Sequence, residues 1–244
     1  MSSAVELTAA QQLLRSQKPF EAASALAPLL AREPDNVEAL LLAGRIELAR
    51  DSPAQARPYL ERAVKLPPKL AAAHFLLGLC LYIDNDFKPA LAALEAANAL
   101  KPNDGGTLLY LALTFEGLAQ TNDALRVYPA AIARNPSAEA PLAFARFLFT
   151  LSRFDEAQGQ VNQSLRRDAK SREAHYEQSR LHFEAGRFAQ SAAAAELALT
   201  LPGSSAAERP LHFLLARAYG KLNHAALAAQ HREAFERIPP RLVR

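Results

Sequence analysis

The chain has 244 residues, 50% of them hydrophobic, and a net charge of +3, so it is long enough to bury a sizeable core. Its longest apolar windows, such as 75–83, contain a glycine and stop at Asp84. They fall short of the ~18 apolar residues that a spanning helix needs, which predicts no membrane insertion. The single cysteine, Cys80, excludes an internal disulfide and a multi-cysteine metal cluster. No basic segment followed by an apolar one opens the chain, which predicts a cytoplasmic protein as written; an engineered start on a periplasmic domain would look the same.

A single period organises the chain from its beginning. Prolines recur at Pro34, Pro68, Pro102 and Pro136, a constant spacing of about 34 residues. Alanines keep the same spacing, at Ala22, Ala56, Ala90 and Ala124. Small residues keep it too, at Ala10, Gly44, Gly78 and Ala112. Three sets of positions that share one period predict a repeat protein.

Each repeat contains two apolar segments with helical spacing, separated by a short polar turn such as 50–53 or 84–86. The proline ends the second segment, because it lacks an amide donor and disfavours helix in the residue before it. We expect the small residue where the two helices cross, since only a small side chain lets their backbones approach. Each repeat is therefore predicted to be an antiparallel helix pair that buries its apolar face against stacked neighbours.

In chain order, the repeats form one predicted domain, 3–240, followed by a tail, 241–244. Its seven units are predicted at about 3–36, 37–70, 71–104, 105–138, 139–171, 172–205 and 206–240. The later units depart from the pattern, because the turn near Phe154 is one residue shorter and Ala169 replaces the closing proline. A loop at Gly203 follows the sixth unit, and we expect a kink in the stack there.

The pattern resembles the tetratricopeptide repeat, which has this period, these small residues and a closing proline. The matching residues of the second unit are Leu42, Ala43, Gly44, Gln55, Ala56, Leu60, Ala63 and Pro68. Those of the third are Leu77, Gly78, Phe87, Ala90, Leu94, Ala97 and Pro102. The resemblance covers nearly the whole chain. It implies an all-α, right-handed superhelical solenoid of about seven helix hairpins, in which the first helix of each hairpin lines a concave, protein-binding surface.

When the inward positions are assigned from the helical phase of the first helices, the concave groove is predicted to be unusually apolar. It is predicted to present Phe75, Leu76, Leu79, Tyr82, Leu109, Tyr110, Leu113, Phe144 and Phe147. An exposed apolar strip normally marks a binding surface, so we expect it to hold a peptide or an amphipathic helix of a partner protein. A helix of a second copy would fit the same surface and make a homodimer. Alternatively, some of these side chains pack against neighbouring helices.

A polar rim is predicted beside the groove, at Arg45, Tyr176, Glu177, Arg180 and Arg217. It would fix the register of a partner, although the same charges could be ordinary pairs on a helix surface. Residues 123–244 hold 17 Lys and Arg against 12 Asp and Glu, whereas 1–122 hold 11 against 13. The excess could favour an acidic partner or could be solvated helix surface. Because acids interrupt the basic residues throughout, we predict no binding of nucleic acid.

The carboxylate clamp of co-chaperone members of this family is not expected here. That clamp needs lysine and asparagine at inward positions of successive units. The corresponding places hold Leu7, Gln11, Leu41, Leu42, Arg45 and Leu76.

The chain also lacks a recognisable catalytic or metal-binding motif, which predicts no cofactor and no activity as an enzyme. Histidines seven residues apart, such as His175 and His182, lie ~10 Å apart on a helix, too far for one metal ion. Cys80 is interpreted as a buried apolar residue, and the pair Gly105–Gly106 as a connector between units. The function predicted is therefore an interaction scaffold. The alternatives are a recognition or regulatory domain of a larger enzyme, and a structural homo-oligomer that uses the apolar groove.

Overall fold

The computed structural model describes residues 2–67, 69–202 and 208–239, and over these residues it contains fourteen α-helices and no strand. The prediction of an all-α fold is thus confirmed. The chain divides into two compact units, Met1–Asn135 (unit 1) and Pro136–Arg244 (unit 2). Pro68, the loop at Gly203 and the tail 241–244, all named in the sequence predictions, lie outside the described residues.

Unit 1 contains four antiparallel helix pairs. Its helices are α1 Ser3–Arg15, α2 Pro19–Arg32, α3 Val37–Ala49, α4 Pro53–Ala63, α5 Ala71–Ile83, α6 Phe87–Leu100, α7 Gly105–Gly117 and α8 Thr121–Arg134. The two helices of each pair pack together, and each pair packs on the next along the chain. The core between them is built from leucines and alanines, and it includes the fully buried Leu26, Leu60 and Leu94.

The described residues of unit 2 form three more helix pairs. Its helices are α9 Glu139–Thr150, α10 Phe154–Arg167, α11 Arg172–Glu184, α12 Phe188–Thr200, α13 Glu208–Lys221 and α14 Ala225–Arg237. The first helices of neighbouring pairs also touch, α9 on α11 and α11 on α13. Leu211 and Leu215 of α13 are fully buried. By contrast, only Ala228 and His231 are buried on α14, so this helix exposes most of its surface.

The small residues of the repeat period lie where the two helices of a pair cross, as the sequence predicts. A β-carbon added at Gly44 would lie 2.4 Å from Cδ2 of Leu60, and one added at Gly78 would lie 2.5 Å from Cγ of Leu94. Ala10 and Ala112, at the same place in their pairs, have no exposed surface. Glycine and alanine therefore recur with this period because the two helices of each pair are in close contact at these positions.

Each turn between paired helices in the described residues uses one residue with a positive φ angle. These seven residues are Gln17, Asp51, Asn85, Ala119, Ser152, Gly186 and Asn223. In each turn the amide after this residue donates to the carbonyl five positions before it, as Gln120 does to Phe115 at 2.8 Å and Arg187 to His182 at 2.9 Å. This is the Schellman arrangement, which satisfies carbonyls left open at the end of the first helix. Only one of the seven positions is glycine, the residue that adopts this backbone without strain.

The interpretation of Gly105–Gly106 as a connector is wrong, because both glycines belong to the first turn of α7. Asp104 caps that helix: its carboxylate accepts from the amide of Thr107 at 3.1 Å. A β-carbon at Gly105 would lie 2.6 Å from the carbonyl carbon of Arg134. Glycine stands there because the start of α7 packs directly on the backbone at the end of α8.

Candidate functional site

Six of the predicted groove residues lie half-buried on α5 and α7 of unit 1. They are Phe75, Leu76, Leu79, Tyr82, Tyr110 and Leu113. Three of the rings form a chain of edge contacts, with centroids 5.8 Å apart between Phe75 and Tyr110 and 5.5 Å apart between Tyr82 and Tyr110. We call these six residues the apolar surface of unit 1.

The other three predicted groove residues lie in the interior. Leu109 is 1% exposed, Phe144 8% and Phe147 4%. The assignment to the groove followed helical phase alone, but α7 and α9 are buried on more than one face: Leu108 and Leu111, on either side of Leu109 in the helix, are also covered. These three side chains offer little area to a partner, so they do not belong to the candidate surface.

The residues of the predicted polar rim are divided between the two units. Arg45 is exposed on α3 of unit 1, where it lines a small cavity of about 100 Å³ with Gln11 and Leu42. Tyr176, Glu177, Arg180 and Arg217 belong to α11 and α13 of unit 2.

Glu177 of α11 is a buried carboxylate that pairs with two arginines of unit 2. It is 4% exposed, and its carboxylate accepts from Nε of Arg146 at 3.0 Å and from Nη1 of Arg180 at 2.6 Å. The guanidinium of Arg180 then lies 3.9 Å above the ring of Phe149 and 5.7 Å from that of Tyr176. A buried carboxylate that pairs with two arginines, one of them over aromatic rings, fixes their positions, because charge pairing and cation–π attraction act together.

The same combination of arginine and ring recurs one repeat later. The guanidinium of Arg217 lies 4.3 Å above the ring of Phe183 and 5.6 Å from that of Phe213. Phe213 contacts Phe235 of α14, with centroids 5.5 Å apart. Phe213 is 47% exposed, an unusual exposure for a ring of this size.

Two cavities open on these side chains. The smaller, of about 170 Å³, is lined by residues that include Tyr176, Arg180 and Phe213. The larger, of about 580 Å³, is lined by Phe183, Phe213, Ala216, Arg217, Gly220, Lys221, Arg232, Phe235 and Glu236. Phe213 and Arg217 line both cavities. We call the aromatic residues and arginines that these walls share with the cation–π and ring contacts above the aromatic–arginine surface: Phe149, Tyr176, Arg180, Phe183, Phe213, Arg217 and Phe235.

Sequence reasoning named Tyr176, Arg180 and Arg217 but missed Phe149, Phe213 and Phe235 as parts of one surface. A signal was present, because Phe149, Phe183 and Arg217 follow one another at the repeat period. They therefore occupy one position in consecutive repeats, and an arginine replaces the third phenylalanine. No comparable signal exists for Phe235, which comes from the second helix of its pair.

Two histidines, His231 buried and His212 half-buried, are in contact between α13 and α14. Nδ1 of His212 lies 2.9 Å from Nδ1 of His231, and the rings stack with centroids 5.2 Å apart. At that distance one nitrogen must donate and the other accept, so the two rings cannot both be protonated and keep the bond. Burial lowers the pKa of both imidazoles.

The described residues hold no group of three or more His, Cys, Asp and Glu side chains that could bind a metal ion. Burial raises the pKa of the Cys80 thiol to about 11, and the thiol donates to the carbonyl of Pro53 at 3.2 Å. It is therefore protonated near neutral pH, and a protonated thiol is a poor nucleophile. None of the described helices combines the length and the hydrophobicity that crossing a bilayer requires.

The fold of this chain is similar to that of several solved structures. The chain resembles the solved structure of a tetratricopeptide repeat protein from Parabacteroides merdae, with a TM-score of 0.73 and 16% identity, covering 98% of this chain and 94% of that one. It resembles PilF of Pseudomonas aeruginosa with a TM-score of 0.72 and 17% identity, covering 85% and 93%. It also resembles a chain of the APC/C hetero-tetramer Cut9–Hcn1, with a TM-score of 0.69 and 16% identity. That match covers 96% of this chain but 46% of the other, so this chain spans less than half of that relative.

At these identities the structural likeness shows the fold alone. No curated protein sequence matches the chain. The family profile described as Tetratricopeptide repeat matches residues 7–69, 41–105 and 142–208, which together make up more than half of the sequence. The chain therefore belongs to the tetratricopeptide repeat family.

Proposed function

We propose that the chain is an adaptor that binds a peptide or an amphipathic helix of a partner protein on the apolar surface of unit 1 or on the aromatic–arginine surface of unit 2. Tetratricopeptide repeats are in general protein-interaction scaffolds without catalytic activity of their own. The observation that carries the proposal is the cavity of about 580 Å³ on unit 2, with Phe213 and Phe235 in its wall. Its size and partly aromatic lining are typical of sites that take an apolar side chain, and aromatic residues dominate the energetics of many interfaces.

The apolar surface of unit 1 supports the same proposal. Its half-buried rings, Phe75, Tyr82 and Tyr110, are already fixed by their contacts with one another. A partner would therefore lose little side-chain entropy in covering them. An amphipathic helix with apolar residues three and four positions apart matches a surface of this kind.

The test is selection from a displayed library of random peptides against the full chain, followed by affinity measurement on the selected peptides. We expect Phe213→Ala to weaken them at least roughly tenfold, as loss of a central aromatic contact does. Phe20→Ala is the matched control, because Phe20 is 66% exposed on unit 1 and also carries an arginine, Arg50, 4.6 Å from its ring centre. Failure to select any peptide, or equal losses in both variants, would refute the proposal.

Two alternative functions stay as further proposals: a recognition or regulatory domain of a larger enzyme, and a structural homo-oligomer. As a recognition domain of a larger enzyme, the chain would use the same surfaces to present a substrate. As a structural homo-oligomer, it would cover the apolar surface of unit 1 with a second copy. Light scattering over a range of concentrations separates the second case, because a dimer abolished by Phe75→Glu would assign that surface to self-association.

A further inference from the structure

The larger cavity of unit 2 has an uneven charge distribution. Three of its lining side chains are cationic, Arg217, Lys221 and Arg232, and one is anionic, Glu236. All three cations are solvent-exposed. Among the residues that the structure describes, none of them lies within 4.0 Å of a carboxylate oxygen in an ion pair. In the part of the chain that the structure describes, the aromatic wall is thus bordered by three cations and one carboxylate, and a second carboxylate, Glu184, lines the adjoining smaller cavity.

Other arginines of the same unit, by contrast, are paired with carboxylates. Arg146 and Arg180 share the carboxylate of Glu177, at 3.0 and 2.6 Å. Arg153 pairs with Glu156 at 2.6 Å. Over the described residues, the larger cavity is therefore a place on unit 2 where three cations converge and one carboxylate, that of Glu236, lines the wall.

Arg217 is held in an orientation that suits a carboxylate ligand. Its guanidinium lies over the ring of Phe183, at 4.3 Å, and uses one face for cation–π attraction. The N–H groups of a guanidinium point outward in its plane, so they remain available for a bidentate bond to a carboxylate. Because the ring restrains the side chain beforehand, binding costs less conformational entropy than it would for a free arginine.

We infer that this cavity binds an acidic peptide segment of a partner protein, with an apolar side chain against Phe213 and Phe235 and carboxylates on Arg217, Lys221 and Arg232. The inference rests on the proposed function and adds the chemistry of the ligand. The groups recognised are side-chain carboxylates of the ligand and an apolar side chain next to them, and they bind on the last helix pair, α13 and α14. This binding needs neither the lysines nor the asparagines that a clamp for a terminal carboxylate would require.

Single-stranded nucleic acid is the competing class of ligand, since arginines and aromatic rings also form its binding sites. Bases need open ring faces on which to stack. Here guanidinium groups already lie over Phe183 and Phe235, with Arg209 3.9 Å from the Phe235 ring. Arg209 also donates to the carbonyl of Ile238 at 3.0 Å, which keeps it in that place. Each of these two rings therefore has one face occupied, which leaves less ring area for stacked bases but still lets an apolar side chain contact Phe235, and this favours a peptide.

The experiment measures fluorescence anisotropy of labelled probes with the full chain. The first probe is a short peptide with a central Leu-Phe pair flanked by runs of glutamate. The second has lysine in place of glutamate, the third has a Ser-Ser pair in place of Leu-Phe, and the fourth is an oligothymidylate of similar length. We expect the first probe alone to bind, with an affinity that falls as salt concentration rises.

Substitutions then locate the site. Arg217→Gln should weaken the first probe roughly tenfold, because it removes one charge-assisted contact and keeps a similar side-chain length. Arg166→Gln is the control, since Arg166 is exposed on α10 of the same unit and its loss changes the net charge equally. Circular dichroism of both variants confirms that they are folded.

The possible results separate this inference from the proposed function. Equal binding of the lysine probe, no effect of Arg217→Gln, or preferred binding of the oligothymidylate would overturn the inference. If library peptides without acidic residues bind at Phe213, the proposed function stands and the acidic ligand is rejected. If no peptide of any kind binds, both fall. A dimer that Arg217→Gln dissociates would make a second copy the occupant and would likewise overturn the inference.

Discussion

Two adjacent glycines at the start of α7 should respond to alanine in opposite directions. A β-carbon at Gly105 would lie 2.6 Å from the carbonyl carbon of Arg134 and 2.7 Å from the amide nitrogen of Asn135. These are backbone atoms, so relief requires α7 and α8 to separate at that end. At Gly106 the nearest atom would be a carboxylate oxygen of Asp104 at 3.4 Å, and the next would be a ring carbon of Phe75 at 3.9 Å. That is ordinary contact.

The expected magnitudes follow from these distances. Overpacking of a tight site costs typically about 1–3 kcal/mol, which exceeds the gain of up to about 1 kcal/mol from replacing glycine in a helix. Gly105→Ala should therefore lower the free energy of unfolding by about 1–2 kcal/mol. Gly106→Ala should raise it by about 0.5 kcal/mol, since it has the helix gain without the clash.

Urea unfolding followed by far-UV circular dichroism measures both changes in the same chain. The m-value is compared as well, because a repeat protein can lose cooperativity on mutation. Thermal unfolding should show the same order, with a shift of roughly 2–4 °C per kcal/mol for a chain of this length. Changes of equal sign in the two variants would refute the reasoning, since propensity alone would then explain them.

Three further predictions concern the turns, the histidine pair and the buried carboxylate. Ala119 has a φ angle of 56°, so Ala119→Gly should stabilise the chain by about 0.5–1 kcal/mol, as urea unfolding would show. Burial lowers the pKa of His212 and His231 from the ordinary value of 6.5. Below pH 6.5 the unfolded chain therefore binds more protons than the folded chain, and the free energy of unfolding should fall by up to about 1.4 kcal/mol per pH unit per proton as the pH is lowered. A His212→Gln variant unfolded at the same pH values should show a weaker dependence of stability on pH. Glu177→Gln should release Arg180 from its carboxylate and destabilise the chain by about 1–3 kcal/mol. It should also weaken the binding of any ligand to the aromatic–arginine surface. A loss of stability with unchanged peptide affinity would limit Glu177 to a structural role.

Much of the architecture could be predicted because it repeats. A proline, an alanine and a small residue with one period are local features, and each has a direct physical reason in helix termination or close helix packing. The crossing points at Gly44 and Gly78 follow from the same reasoning. The turns were harder, because six of the seven turn residues with positive φ are not glycine. Composition alone therefore did not reveal that these turns share one hydrogen-bonding pattern.

The candidate site shows what a repeat pattern leaves open. Helical phase placed Phe75 and Tyr110 on the apolar surface of unit 1, where they are half-buried, but it also placed Phe144 and Phe147 in a groove. Phase gives the direction of a side chain from its own helix. Whether a second helix covers that side chain depends on neighbours distant in the chain, and only their packing decides it.

The sequence by itself determined that this protein is a series of paired helices, since the repeat period and the small residues at helix crossings are written in the order of the residues. Only the tertiary structure decided which side chains come together in the proposed aromatic–arginine surface. Arg217 meets Phe183 from the preceding repeat, and Phe213 meets Phe235 from the following helix. Such contacts depend on how α11, α13 and α14 pack against one another, and a one-dimensional pattern does not contain the distances between their side chains.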